Sequence, residues 1–386
     1  MMPEPRNLTK FTQSTMDSLA MCRIPNHARK TSIVFFIFTV FLLSACLFNP
    51  TLSPTILSPS PDGSTDGFYV YFTDPGGENA KSRRGGPDSN LAMSIDLARL
   101  SVDAAIYDLD LWSIRDALLR AYRRGVSVRI VTESDNIDRP EIQALKDAGI
   151  QVLGDRREGL MHNKFIVIDQ LDVWSGSMNY TLSDAYGNYN NLVRIRSIKL
   201  AEDFTTEFEE MFLDDLFGPD TRAATPHSTV MINGTTVEVY FSPDDNVAQH
   251  IIQLIREARQ NIAFLAFSFT SDEIADAMLD RALAGITVTG IFDHSQVGSN
   301  TGGEYTRLRS KGLDVRQIGG QSLLHDKVII IDNQIVITGS YNFSNNAEKH
   351  NDENCIIIHN SQIAKQYTDH FLKLYQDLSL EGLNSP

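Results

Sequence analysis

The feature that most constrains this chain is that it contains one unit written twice. IRDALLRAYRRGVSVRIV (114–131) matches IADAMLDRALAGITVTGI (274–291) without a gap. ALKDAGIQV (144–152) matches RLRSKGLDV (307–315), and MHNKFIVID matches LHDKVIIID, both pairs at one constant spacing that is slightly wider than the first. Phe72-Thr73-Asp74-Pro75 likewise matches Phe241-Ser242-Pro243, and the three extra residues that widen the spacing fall in the loop from Ser295 to Glu304. A chain built this way folds the same supersecondary unit twice, so polar positions kept in both copies stand out from surface that has drifted.

Each unit reads strand, helix, strand, helix, strand pair, helix. SVDAAIYDL and NIAFLAFSF are apolar strands, and the segments after them have helical periodicity ending at Gly125 and Gly285, where glycine adopts a left-handed cap most easily. VSVRIVT and ITVTGIF follow as buried strands, and FIVID/DVWSGS and VIIID/IVITGS as strand pairs. Alternation of apolar strands with amphipathic helices predicts an α/β fold, two tandem units each with a mainly parallel sheet covered by helices. The expected first unit is 68–219 and the second 237–380; residues 220–236, with Pro226, Asn233-Gly234 and little apolar content, read as the connector.

The rest of the 386 residues reads as an address. IVFFIFTVFLLSACLF (33–48) follows Arg23, Arg29 and Lys30, a cationic segment and then an apolar one, shorter than the roughly 20 residues of a spanning helix. The run ends in Leu43-Ser44-Ala45-Cys46, which resembles the lipobox of bacterial lipoprotein signal peptides, and that resemblance makes Cys46 the lipidated residue. The expectation is a signal peptide over 1–46 and an extracytoplasmic protein anchored at a membrane; an uncleaved anchor is the alternative, and Met16 or Met21 serves equally as the start. Residues 47–67, rich in Pro, Ser and Thr, read as a tether able to reach on the order of 60 Å at about 3.1 Å per residue. The whole chain has a net charge of −15, and without the five basic and two acidic residues of 1–46 it is −18. That acidity works against long-range steering toward nucleic acid or anionic membrane while leaving room for a positive cleft. Three cysteines, Cys22, Cys46 and Cys355, make neither a disulfide framework nor a zinc cluster.

The chemistry lies in two matching constellations. The first is His162-x-Lys164-x-x-x-x-Asp169 followed by Gly176-Ser177-x-Asn179; the second is His325-x-Lys327-x-x-x-x-Asp332 followed by Gly339-Ser340-x-Asn342. One His two residues before a Lys is unremarkable, but two copies with the same Gly-Ser-x-Asn spacing are hard to obtain by chance. Residues i and i+2 of a strand share a face, so His162 and Lys164 project together, as do His325 and Lys327. Asp169 and Asp332 stand at odd offsets from the histidines and are assigned to the strand ends as structural hydrogen-bond partners. Asn179 and Asn342 offer amide donors for an anion. No HExxH, paired-carboxylate or Cys/His spacing points to a metal, no cofactor motif is present, and Ser177 and Ser340 lack a Gly-x-Ser-x-Gly setting.

These residues resemble the phospholipase D superfamily, whose signature is this His-x-Lys motif with four residues before the Asp, present twice. The resemblance spans about 70–375, and the second unit is most similar to the small bacterial endonuclease branch and the mitochondrial phospholipase D-like proteins. It implies two units packed about a pseudo-twofold axis, with both motifs in one site that works without metal. One His attacks phosphorus to form a phosphohistidine; the other protonates the leaving alkoxide and then activates water. Lys164, Lys327, Asn179 and Asn342 then supply fixed donors for the phosphoryl oxygens. Glu353, downstream of His325, matches the family's His-orienting carboxylate, and Asn190 stands at the equivalent place after His162. On this basis His325, supported by Glu353, is expected to be the general acid and His162 the nucleophile, with the reverse order open.

The expected substrate is a phosphodiester, phospholipid in the first reading and nucleic acid in the second, with no obligatory protein partner; a non-catalytic binding module is the reading from a different class. Cys355 reads as a buried small hydrophobe, and His227, His250, His294, His359 and His370 as structural. Tyr180 and Phe343 either line the pocket or pack beneath it.

Overall fold

The computed structural model describes residues 67–384. The expected signal segment with Cys46, and the tether apart from Gly67, lie outside the described residues. Two sheets carry the architecture. The first contains β1 (Phe68–Phe72), β2 (Ser101–Ile106), β3 (Ser127–Thr132), β4 (Gln151–Gly154), β5 (Lys164–Ile168), β6 (Asp172–Gly176) and β7 (Asn191–Arg196), in the order β1-β7-β6-β5-β2-β3-β4. The second contains β8 (Thr229–Ile232), β9 (Thr235–Ser242), β10 (Asn261–Ala266), β11 (Thr287–Asp293), β12 (Asp314–Ile318), β13 (Lys327–Ile331), β14 (Ile335–Gly339) and β15 (Glu353–His359). Its order, β12-β11-β10-β13-β14-β15-β9-β8, repeats the first with β8 added at the edge.

The α/β class and the tandem repeat hold, but the sheets are mixed, not mainly parallel. Only β2–β3 and β3–β4 in the first sheet, and β10–β11 and β11–β12 in the second, pair in parallel. The remaining pairs are antiparallel because the chain returns from β4 and from β12 without a crossover helix, enters beside β2 or β10, and runs on as a meander. Segment 220–236 is also more than a connector: Thr229–Ile232 forms β8, and Asn233-Gly234, both at positive φ, turns it into β9.

Both faces of the central strands are buried, which is why KFIVI and KVIII read as unbroken apolar runs. Phe165, Val167, Val193 and Ile195 share one core with Val328, Ile330, Ile356 and Ile358. Between them pack Phe204 and Phe208 of the helix Ile198–Asp214 and Tyr367 and Phe371 of the C-terminal helix Ser361–Asn384. The opposite faces are covered by helices: Ile166 and Trp174 pack with Leu91 and Leu118, and Ile329 and Ile357 with Ile251 and Met278. The helix Trp112–Arg123 shows the cause in miniature, since Ile114, Ala117, Leu118 and Ala121 fall on one stripe and are buried.

Contacts between the halves come in reciprocal pairs, the mark of a pseudo-twofold relation. Ser175 Oγ donates to Asn354 Oδ1 at 2.6 Å, and Thr338 Oγ1, its counterpart, donates to Asn191 Oδ1 at 2.8 Å. Met161 bridges to Asp352 and Tyr189 to Leu324 along the backbone. Gly176 and Gly339, at φ 152° and 143°, lie so close to the carbonyls of Asn191 and Asn354 that a Cβ has no room.

Candidate active site

The cross-half bridges decide which side chain reaches which histidine. His162 N–H donates to Asp352 O at 3.0 Å and Asp352 N–H to Leu160 O at 2.9 Å, so Glu353 is delivered beside the motif of the other half. Glu353 Oε2 lies 2.6 Å from His162 Nδ1. The expectation that Glu353 supports His325 is therefore corrected: its carboxylate acts across the interface. His325 Nδ1 instead meets Asn190 Oδ1 at 2.9 Å and Asp184 Oδ2 at 3.3 Å. Asn190 Nδ2 donates to Asp184 O and Ser177 Oγ donates to Asn190 Oδ1, so Asn190 Oδ1 is an acceptor and the proton sits on His325 Nδ1. Both imidazoles thus keep Nε2 for chemistry.

The two lysines are held alike. Lys164 Nζ donates to His162 O and Lys327 Nζ to His325 O, each at 2.7 Å. Tyr107 lies against His162 and 4.7 Å from Lys164 Nζ; Phe267 lies against His325 and 4.8 Å from Lys327 Nζ. Asn179 and Asn342 each keep a buried Oδ1 without a partner, and it is their Nδ2–H groups, not these oxygens, that can donate to an anion. Ser340 parallels Ser177: each hydroxyl accepts the backbone N–H of the strand beside it, Asn354 or Asn191. Asp169 and Asp332 stand away from this chemistry. At positive φ in the β5–β6 and β13–β14 turns, Asp169 accepts the N–H groups of Arg99, Leu100 and Ser101, and Asp332 those of Arg259, Gln260 and Asn261.

Burial dominates the electrostatics. It pushes the Lys164 ammonium down to about 7 and that of Lys327 down to about 8. Burial, aided by Lys164, Lys327 and His325, holds the His162 imidazole well below its ordinary value; burial and Lys327 lower His325, opposed by Asp184. Burial raises Glu353 to about 7, against the lowering effect of Lys164, and its carboxyl faces His162 Nδ1 at 2.6 Å. Burial disfavours charge on Asp184 too, yet His325 and the hydrogen bonds from Asn188 and the Asn179 N–H keep its carboxyl below the usual range. With both lysines charged, Asp184 and Glu353 ionised and both imidazoles neutral, these groups balance, and a monoanionic phosphodiester then favours a proton on His325.

A pH dependence follows. An ordinary lysine stays charged to about pH 10, whereas these two lose charge as pH rises through about 7 to 8. Sulfate, whose own charge is constant over this range, is expected to bind at least about tenfold more weakly at pH 9 than at pH 7 by calorimetric titration. Unchanged affinity across the range contradicts the lowered lysines.

Three residues of the site escaped the sequence reading. Tyr107 and Phe267 were legible, as aromatic residues at matched places after the strands SVDAAI and NIAFLA. Asp184 was not, because its counterpart in the second unit is Ala347 and a comparison of repeats is blind to it. Tyr180 and Phe343 are wholly buried and pack beneath the site. Cys355 is buried, which pushes its thiol up. Among the described residues no group of three or more His, Cys, Asp or Glu has metal-binding geometry, and no helix is long and apolar enough to cross a membrane.

Two interlocked α/β units meeting at paired His-x-Lys motifs define a phosphodiester-hydrolysing enzyme of the phospholipase D superfamily. The family model for the cardiolipin synthase, PLD-like domain matches residues 91–212 and again 251–375, and the chain belongs to that family. Phospholipase D of Rickettsia typhi is 31% identical over 149 residues, which are 39% of this chain and 72% of that protein. Mitochondrial cardiolipin hydrolase of Xenopus laevis is 31% identical over 126 residues, 32% of this chain and 60% of that protein. The crystal structure of phosphatidylserine synthase from Haemophilus influenzae Rd KW20 superposes with a TM-score of 0.57 at 14% identity, covering 75% of this chain and 84% of that one, and so shares the fold.

Proposed function

We propose that this enzyme hydrolyses the phosphodiester of a phospholipid through a phosphohistidine on His162, without a metal ion. The observation that carries the reading is the unequal support of the two rings: the Glu353 carboxylate lies 2.6 Å from His162 Nδ1, whereas the nearest partner of His325 Nδ1 is the neutral amide of Asn190 at 2.9 Å, with the Asp184 carboxylate farther off at 3.3 Å. A carboxylate behind Nδ1 stabilises the positive charge that an imidazole acquires as its Nε2 bonds to phosphorus. His162 Nε2 attacks, the bond to the leaving oxygen breaks, and His325 Nε2–H gives that oxygen its proton. His325 then takes a proton from water, whose oxygen displaces His162 from phosphorus. Lys164, Lys327, Asn179 and Asn342 hold the equatorial oxygens throughout.

The lipid substrate is supported by the names of the relatives, a phospholipase D and a cardiolipin hydrolase. An extracytoplasmic location, held at a membrane by a lipid on Cys46, places the enzyme beside such a substrate. The test is to incubate the full chain in detergent, with EDTA, with labelled phosphatidylcholine, phosphatidylglycerol and single-stranded DNA. Release of the lipid head group is expected to persist in chelator. Activity that vanishes with EDTA overturns the metal-free route, and cleavage of DNA alone overturns the lipid.

A further inference from the structure

His370, on the C-terminal helix, has no place in the mechanism above, yet it is buried and reaches into the second motif. Its Nε2 lies 3.1 Å from Asp326 Oδ2, and its ring stacks on Phe72 of the first half at 4.2 Å. Asp326 is the residue between His325 and Lys327 and is wholly buried. Its Oδ1 accepts from Asn191 Nδ2, in the first half, at 2.7 Å.

The pseudo-twofold relation shows what is special here. At the matching places in the first unit stand Asn163 for Asp326 and Glu207 for His370. The surroundings correspond: Phe72 meets Tyr367 edge to face at 5.0 Å as Phe241 meets Phe204 at 5.1 Å. Yet Asn163 Nδ2 and Glu207 Oε1 are both buried without a hydrogen-bond partner. The first motif therefore has a neutral residue between its His and Lys, and the second has a buried carboxylate gripped by an imidazole.

We infer that His370 is a positioning residue that, through Asp326, equips the His325 end of the site to hold a proton and so act as the acid. A carboxylate at position 326 adds negative charge beside His325 and Lys327, but in a buried setting it keeps that charge only while hydrogen-bonded. Asn191 satisfies one oxygen; His370 satisfies the other. The remaining charged or titratable groups facing this end are Asp184 from the helix Leu182–Tyr186, His162 and Lys164 from the first motif, Asp293 from β11, Glu353 from β15, and Tyr367 beside His370. With His370 gone, Asp326 takes up a proton, its support for the imidazolium of His325 falls, and the acid loses its proton at lower pH.

The inference rests on His325 being the acid, and the experiment separates the two. Phosphatidylmethanol, whose alkoxide must be protonated, is compared with phosphatidyl-p-nitrophenol, whose leaving group needs no acid, in a single-turnover assay of the first bond cleavage. His370→Ala is expected to lower the rate with phosphatidylmethanol at least about tenfold, to move the alkaline limb of its pH profile down by about one unit, and to affect the p-nitrophenyl ester several-fold less, with KM little changed. His370→Gln, which keeps a donor for Asp326, is expected to restore most of the loss and also serves if the alanine variant folds poorly. Equal losses on both esters, or an unmoved limb, overturn the role of His370 while leaving that of His325 intact. If His325→Ala itself fails to discriminate between the esters, the assignment of the acid fails and the inference with it.

Discussion

The His325→Ala enzyme is expected to release one equivalent of p-nitrophenol from phosphatidyl-p-nitrophenol in a burst and then stall. Its nucleophile, His162 with Glu353 behind it, is untouched, so the N–P bond still forms when the departing group needs no proton. The phosphoenzyme then has no base to activate water, and the second step slows by on the order of 10²–10⁴, the usual contribution of a positioned acid–base group. With an alkyl ester the burst itself shrinks by a similar factor. His162→Ala, by contrast, is expected to lose turnover of both esters by at least about 10⁴, with no burst, because the bond-forming atom is gone. Acid-quench labelling checks the assignment directly: label trapped on His162 in the His325→Ala protein supports it. A burst in His162→Ala with label on His325 reverses the two roles.

How much of this was legible in the sequence depends on what duplication preserves. His162, Lys164, Asn179 and their partners at 325, 327 and 342 stood out because both copies retain them, and the structure brings the two histidines and two lysines together where the halves meet, with Asn179 tied to them through Asp184. Duplication says nothing about partners. Glu353 follows His325 in the chain, yet the backbone bridge between Met161 and Asp352 hands its carboxylate to His162, and sequence spacing cannot distinguish a contact within a unit from one across the axis. Residues that break the repeat were invisible for the opposite reason: Asp184 matches Ala347, and His370 matches Glu207, so neither registers as a kept position. The sheets were misread where helix and strand cease to alternate. Apolar runs such as KFIVI and KVIII look the same in a parallel crossover and in a meander, since burial on both faces erases the period of two that marks a hairpin.

The largest effect short of removing a reacting atom is expected from Glu353→Gln. The amide fits the same space, and its oxygen can still accept from His162 Nδ1–H, so the nearest partner of His162 Nδ1 is then neutral, as Asn190 is for His325, but without a second carboxylate such as Asp184. What is lost is the charge that stabilises the imidazole as it becomes cationic in forming the N–P bond. In the serine-protease triad the equivalent exchange costs about 10⁴ in kcat, and a loss on the order of 10²–10⁴ is expected here. Glu353 does not touch substrate, so KM is expected to change less than about threefold, and thermal melting serves as the check on folding. The step affected distinguishes this variant from His325→Ala. Glu353→Gln slows the first bond formation, so the p-nitrophenol burst disappears and no phosphoenzyme accumulates. A retained burst followed by slow release would show that the carboxylate serves hydrolysis of the intermediate, and so acts on the acid–base end. Because the carboxylate crosses the pseudo-twofold axis, the reaction depends on the two halves staying locked. A substitution that loosens the Met161–Asp352 bridge withdraws Glu353 from His162 and slows the same step, even with every reacting atom intact.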